Sequence, residues 1–266
     1  MPKDGYSPWR SPCLVALLLL AAVRTGWSAD PSARVAEEVL ARHPAARVLL
    51  VGERHREPLS HALFARLAEA LADRGERVLV ALEIPWDREP DLGAALGGAD
   101  SPAFPVVDGP SYRELLARLG GLGDRGVSVA AVDASARDRE TRDAAMARRI
   151  AHALESGRYD RVVALVGNLH ALRIIPWAAQ GSGGAPQEKL GALLAAATPG
   201  MASVLQWFPD GCRQERVPRL HGAGSPSARS AVEGLWNLLH TRPPEPGSAT
   251  QAADGVVVWE CAASQI

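Results

Sequence analysis

Six short apolar runs constrain this chain more than any other feature. They lie at 47–51, 77–82, 127–132, 161–166, 201–207 and 255–260. They are near-continuous in Val, Leu and Ala rather than alternating, which is how strands covered on both faces read. Between them, apolar residues recur with a helical period. In 58–74 these are Leu59, Ala62, Leu63, Leu67, Ala70 and Leu71. The segments 111–119, 140–154 and 187–197 behave alike. Strands alternating with helices imply an α/β fold with a mostly parallel central sheet flanked by helices. Three stretches read as irregular: 87–109, rich in Gly, Pro and Asp; the connector 181–184; and 241–254, polar with three prolines, which reads as a surface excursion before the last strand. No repeat and no internal boundary interrupts the pattern, so 29–266 reads as a single domain.

In open α/β sheets, ligands bind outside the carboxyl ends of the strands. The residues at those ends are therefore the candidates. The first strand gives way to Gly52-Glu53-Arg54-His55, and the second ends at Glu83. Asp133 follows the third, and Gly167-Asn168-Leu169-His170 follows the fourth. For any one of these positions a helix cap or a solvated loop residue is the ordinary explanation. The repetition of Gly-x-x-His after two strands makes that explanation weaker for the set. Glycine would let the backbone turn sharply, so that the histidine points back over the sheet edge. Glu83 ends an apolar run, so its carboxylate is expected to be partly buried and to need a partner. Arg142, at the start of the 140–154 helix, can supply the cation.

Glu53, His55, Glu83, Asp133 and His170 admit three chemistries. With Glu53, His55 and His170 as ligands they would hold a divalent metal ion. With Arg142 they would act as acid and base on water or substrate. His55 and His170 could also ligate a haem iron. The other histidines, His43, His61, His152, His221 and His240, read as structural or surface residues. The run Gly121-Leu122-Gly123-Asp124-Arg125-Gly126 fits the spacing of a dinucleotide-binding loop. It follows a helix and precedes a strand, the reverse of the required order, and is not such a site.

In their order and spacing these motifs resemble a known superfamily. They are Gly52-Glu53-Arg54-His55, the strand end at Glu83, Arg142-Asp143-Ala144-Ala145-Met146-Ala147 and Gly167-Asn168-Leu169-His170-Ala171. The superfamily joins ChaN-like haem-binding proteins, erythromycin esterases and TIKI/TraB-type proteins, and the ChaN-like branch is the most similar. The resemblance implies an α/β fold with its site at the strand ends. It also implies one of two activities. The first is haem binding linked to iron uptake, with haem held partly through a tyrosine. The second is Glu/His-dependent or metal-assisted hydrolysis of an ester or peptide. Tyr112 and Tyr159 are the tyrosines beyond residue 28, and neither falls in a matched motif. The partners to expect are haem or another small-molecule ligand and, in a homodimer, a second copy of the chain.

Residues 1–28 read separately. Lys3 and Arg10 precede the apolar run 13–23, and the small residues Gly26 and Ser28 follow it, the layout of a secretory signal. The run is short for a bilayer span of roughly 20 residues. Periplasmic or secreted location is therefore expected, with no membrane association after cleavage. Cleavage removes three cations and one anion, which takes the formal charge from −1 to −3. A mildly acidic chain without a basic stripe gives no footprint for nucleic acid. Cys212 and Cys261 remain in the mature chain, where an oxidising compartment permits pairing and sequence alone does not decide it. Cleavage after Ser28 predicts a mature protein beginning at Ala29. N-terminal sequencing of material recovered from the periplasm or medium would show this, and an intact Met1 would refute it.

Overall fold

The computed structural model describes residues 30–104, 106–175, 188–213, 215–238 and 247–262. The segment 1–28 expected to be a secretory signal, the connector 181–184, His240 and the first part of 241–254 lie outside these residues.

The six apolar runs form strands close to where the sequence places them. These are β1 (Val48–Glu53), β2 (Val78–Pro85), β3 (Val127–Asp133), β4 (Arg161–Gly167), β5 (Met201–Trp207) and, last in the chain, β7 (Gly255–Cys261). A further strand, β6 (Arg216–Gly222), pairs antiparallel with β7 at one edge. It carries two arginines, a histidine and Pro218 in seven residues, so it lacks the apolar signal. Edge strands tolerate charge and proline because one side of their backbone faces no partner. The sheet order is β3-β2-β4-β1-β5-β7-β6, and every pair except β6–β7 is parallel.

Helices cover both faces, which explains the continuous apolar strands. One face is packed by α1 (Pro31–Arg42), α2 (Pro58–Asp73), α3 (Glu89–Leu96) and α4 (Pro110–Gly120). Leu49 and Val51 of β1 join the core on that side. The other face is packed by α5 (Arg142–Glu155), α7 (Leu190–Ala197) and α8 (Pro226–Leu238), against Val48 and Leu50. Between β4 and α7 stands the short helix α6 (Asn168–Ala171). The segment 87–109 is not wholly irregular, because α3 lies within it. Its glycines and Pro90 hide the helix from a periodicity reading, but Pro90 occupies the first turn, where no backbone donor is lost. Within 241–254, Ser248–Gln251 forms a 3-10 turn that buries Ala249, so this part is not a surface excursion. No helix among the described residues is long and apolar enough to cross a membrane. Cys212 and Cys261 are joined as a disulfide.

The topology opens the site. The chain runs from β1 past the position of β4 to β2 and outward to β3. It then reverses, and β4 enters the gap between β2 and β1. That reversal leaves a crevice at the carboxyl ends of four adjacent strands. Gly52 is buried in the sheet there, and a Cβ on it would stand 2.4 Å from Asn168 Oδ1. Gly52→Ala is therefore expected to cost about 1–3 kcal/mol through overpacking. Denaturant unfolding should show a lower midpoint at unchanged slope, and an unchanged midpoint would contradict the packing.

Candidate functional site

Glu83 stands at the centre of the crevice. The register between β2 and β3 shifts between Leu82 and Pro85, a bulge at the residue that matters. Bulges re-aim side chains and recur beside functional sites. The Glu83 side chain is 1% exposed and both its oxygens are used. Oε2 accepts the Gly167 backbone N–H at 2.6 Å, and Oε1 accepts from Arg142 Nη2 at 2.6 Å. Arg142 also grips Asp133, through Nε at 2.7 Å and Nη2 at 2.6 Å. It thus bridges the ends of β2 and β3 from the first turn of α5.

The two strand-end histidines flank this pair. His55 donates from Nδ1 to Glu53 Oε1 at 2.8 Å, and its Nε2 lies 3.9 Å from Glu83 Oε1. His170 donates from Nδ1 to Asp143 Oδ1 at 2.6 Å, and its Nε2 lies 3.6 Å from the same oxygen. Each imidazole is backed by a buried carboxylate and directs its other nitrogen towards Glu83. The candidates Glu53, His55, Glu83, Arg142 and His170 therefore meet in one place, together with Asp133.

The glycines of the two Gly-x-x-His turns have a different purpose from the expected one. Neither Gly52 nor Gly167 has a positive φ. Both are needed for space. A Cβ on Gly167 would stand 3.0 Å from His55 Nε2, so a side chain there would push the imidazole out of its place by a few tenths of an ångström. Asn168 then ties the second turn to the sheet interior, donating from Nδ2 to Gln206 O at 2.7 Å and accepting from Gln206 N at 3.0 Å.

Two members of the site escape a reading of strand ends. His61, read from sequence as structural or surface, is 2% exposed on α2. Its Nε2 lies 3.1 Å from Glu53 Oε2, although not as a straight hydrogen bond, and its Nδ1 hydrogen-bonds Ser111 Oγ at 2.9 Å. Its spacing of six residues from His55 carries no turn signal, and its hydrogen bond comes from Ser111, far along the chain. Asp143 is buried on α5, where it also accepts the Leu190 N–H at 2.9 Å and lies 3.5 Å from Lys189 Nζ. An Asp in the first turn of a helix looks like dipole compensation, which conceals this role. His152 is exposed, as expected, and His221 pairs with Glu260 at 3.2 Å.

No family model matches the chain. No curated protein matches it either. Among solved structures it is similar to the type III effector HopBA1 (11% identity, TM-score 0.47, 88% of this chain and 95% of that one). It is also similar to ChaN of Campylobacter jejuni, described as binding haem cofacially (11% identity, TM-score 0.44, 84% and 91%). A third is a bacterial protein toxin (17% identity, TM-score 0.41, 64% and 36%). Likeness at this level carries no residue roles from one protein to another.

The expected metal set does not assemble. Glu53 lies behind His55 rather than beside it, with its two oxygens turned to His55 and His61. Among the described residues no group of three or more His, Cys, Asp or Glu side chains is arranged to hold a metal ion. At the carboxylate a divalent ion would seek, Glu83 Oε1, the Arg142 guanidinium already stands.

Electrostatics tighten the cluster. Burial acts to raise the Glu53 carboxyl, but the hydrogen bond of His55 and the close approach and charge of His61 hold it below the usual range. His55 is raised above 6.5, first by its bond to Glu53 and against burial. Burial likewise opposes, without reversing, the lowering of Asp143 by His170. Arg142 is held above the ordinary arginine range, first by Asp133. The depressed Glu53 contributes stability above its unfolded value of 4.5, lost as pH falls through its folded pKa. The raised His55 contributes below 6.5, lost as pH rises through its folded pKa. Glu53→Gln should therefore destabilise most between these two values, by about 2–3 kcal/mol for a charge-assisted bond. The difference should shrink on either side, and a pH-independent difference in urea unfolding would contradict the coupling.

Proposed function

We propose that this chain is an exported ChaN-like protein that binds haem, or a ligand of haem-like chemistry, in the cleft at the carboxyl ends of β1 to β4. The observation that supports this reading most is the pair of imidazoles. Each is fixed at Nδ1 by a buried carboxylate, and each keeps an Nε2 outside hydrogen-bonding distance of its neighbours. Carboxylate behind imidazole is how proteins orient histidine ligands and raise their basicity. Bound haem would supply an electrophilic iron to which a histidine nitrogen can donate. Glu53 and Asp143 hold the rings, His61 and Ser111 steady Glu53, and Glu83 with Arg142 forms the polar floor. His55 is the more open of the two, with its side chain 31% exposed against 14% for His170.

The fit is to the histidines and not to a tyrosine. Tyr112 is fully buried with its ring 5.3 Å from His61, and burial holds its hydroxyl in the neutral form. Tyr159 precedes β4, at the opposite end of the strand from the cleft.

A second reading, a Glu/His-dependent hydrolase, rests on one observation. Glu83 Oε1 lies within 4 Å of both Nε2 atoms and carries Arg142. An acid–base pair on either side of a carboxylate, with a guanidinium able to meet developing negative charge, suits attack of water on an acyl group. There the imidazoles would move the proton and no metal would be needed.

Titration of purified protein with hemin should give a saturable Soret shift at micromolar concentration, abolished in His55→Ala/His170→Ala. No shift would remove the haem reading. Turnover of an ester and peptide panel, lost in Glu83→Gln and insensitive to chelator, would replace it with the second.

A further inference from the structure

The cleft has a division of charge that neither reading uses. Its acids face inward. Glu53, Glu83, Asp133 and Asp143 are each at most 5% exposed, and each is engaged by a histidine, by Arg142 or by a backbone N–H. Its accessible charge is cationic. The Arg142 side chain is 43% exposed, and its bonds to Glu83 and Asp133 use Nε and Nη2, which leaves Nη1 for the solvent side.

Two loops extend the same sign. Arg54 and Arg56 follow β1, and Arg137 and Arg139 follow β3; all four are exposed. None has a carboxylate within ion-pair distance among the described residues. Arg56 instead donates from Nε to Val106 O at 3.2 Å, and Arg137 lies 6.0 Å over the Trp86 ring. The acids of these loops are largely committed. Asp138 holds Arg149 at 2.7 Å, Glu140 holds Arg148 at 2.6 Å and Glu57 caps α2. Asp87 and Glu89 are exposed acids here for which no ion pair is seen among the described residues, and Glu89 accepts the Ala131 N–H at 2.7 Å. In sheet order β1 and β3 are three places apart, about 14 Å at the usual strand spacing. The arginine pairs therefore bracket the cleft mouth from both sides.

We infer that the cleft selects an anionic ligand, one carrying carboxylate or phosphate groups, with one such group on Arg142 Nη1 and the rest of its charge met by Arg54, Arg56, Arg137 and Arg139. This rests on reading the strand-end cleft as the ligand site, and it deepens that reading by naming what the ligand must carry. The net charge of the chain is slightly negative, so attraction of anions has to be a local property of this mouth.

The test separates the two ideas. Hemin, with two carboxylates, and its dimethyl ester, with none, are titrated against wild type and against Arg137→Gln/Arg139→Gln, with pyrophosphate as a compact polyanion in a third arm. These arginines lie on the surface, so circular dichroism should be unchanged. If hemin binds about tenfold or more tightly than the ester, and the double variant and added salt both reduce that preference, the inference holds. If hemin and ester bind equally, the anion inference falls and haem binding stands. If hemin does not bind, the haem reading falls, and pyrophosphate decides. Saturable binding lost in the double variant keeps the inference, and no binding of pyrophosphate ends it.

Discussion

A buried carboxylate at the end of an otherwise apolar strand organises this molecule. An ionised group out of water is costly unless every lone pair finds a donor. Glu83 finds its donors in two places: the backbone of β4 and the guanidinium of α5. The first can be reached only if β4 lies against β2, which is the reversal that opens the crevice. The second draws α5, and Asp143 with it, to the sheet edge, where the same guanidinium meets Asp133 at the end of β3. One acid thus connects the strand order, the placing of a helix and the seating of His170. The same logic runs on the other flank, where Glu53 draws His61 of α2 and His55 of the following loop to a single carboxylate.

Much of this was legible in the sequence, and for identifiable reasons. The strands could be read because helices on both faces make them uniformly apolar. The edge strand β6 could not, because a strand with one free side has no need of that signal. Glu83, His55 and His170 could be read because chemistry in a parallel sheet is confined to one edge. His61 and Asp143 could not, since they lie within helical periods, where a polar residue on a buried face resembles a local irregularity. The glycines were recognised correctly and explained wrongly. A turn requirement and a space requirement give the same letter, and only the distances to Asn168 and His55 tell them apart.

The layering of charge gives the cleft a physical character that the number of ionisable groups does not. Negative groups form the interior and are neutralised at close range, while the positive groups that remain are accessible. Interactions in the interior are strong and little affected by salt, whereas those at the mouth are long-ranged and screened. The buried acids hold the imidazoles in place, the exposed charge at the mouth belongs to Arg54, Arg56, Arg137 and Arg139, and Arg142 joins the two layers. Changes to one set should leave the other in place.

The Cys212–Cys261 bond lies at the opposite side of the sheet from Glu83. It joins the loop before β6 to the last residue of β7, so the one antiparallel pair in the sheet is closed by a covalent link. An exposed edge strand is a template on which another chain can add, and a frayed one more so. The bond holds β6 against β7 and so keeps the edge pair from fraying, although the outer backbone of β6 still has no strand partner. Reduction would therefore loosen only the β6–β7 margin, which lies across the sheet from Glu83, and the hydrogen bonds around Glu83 do not run through it.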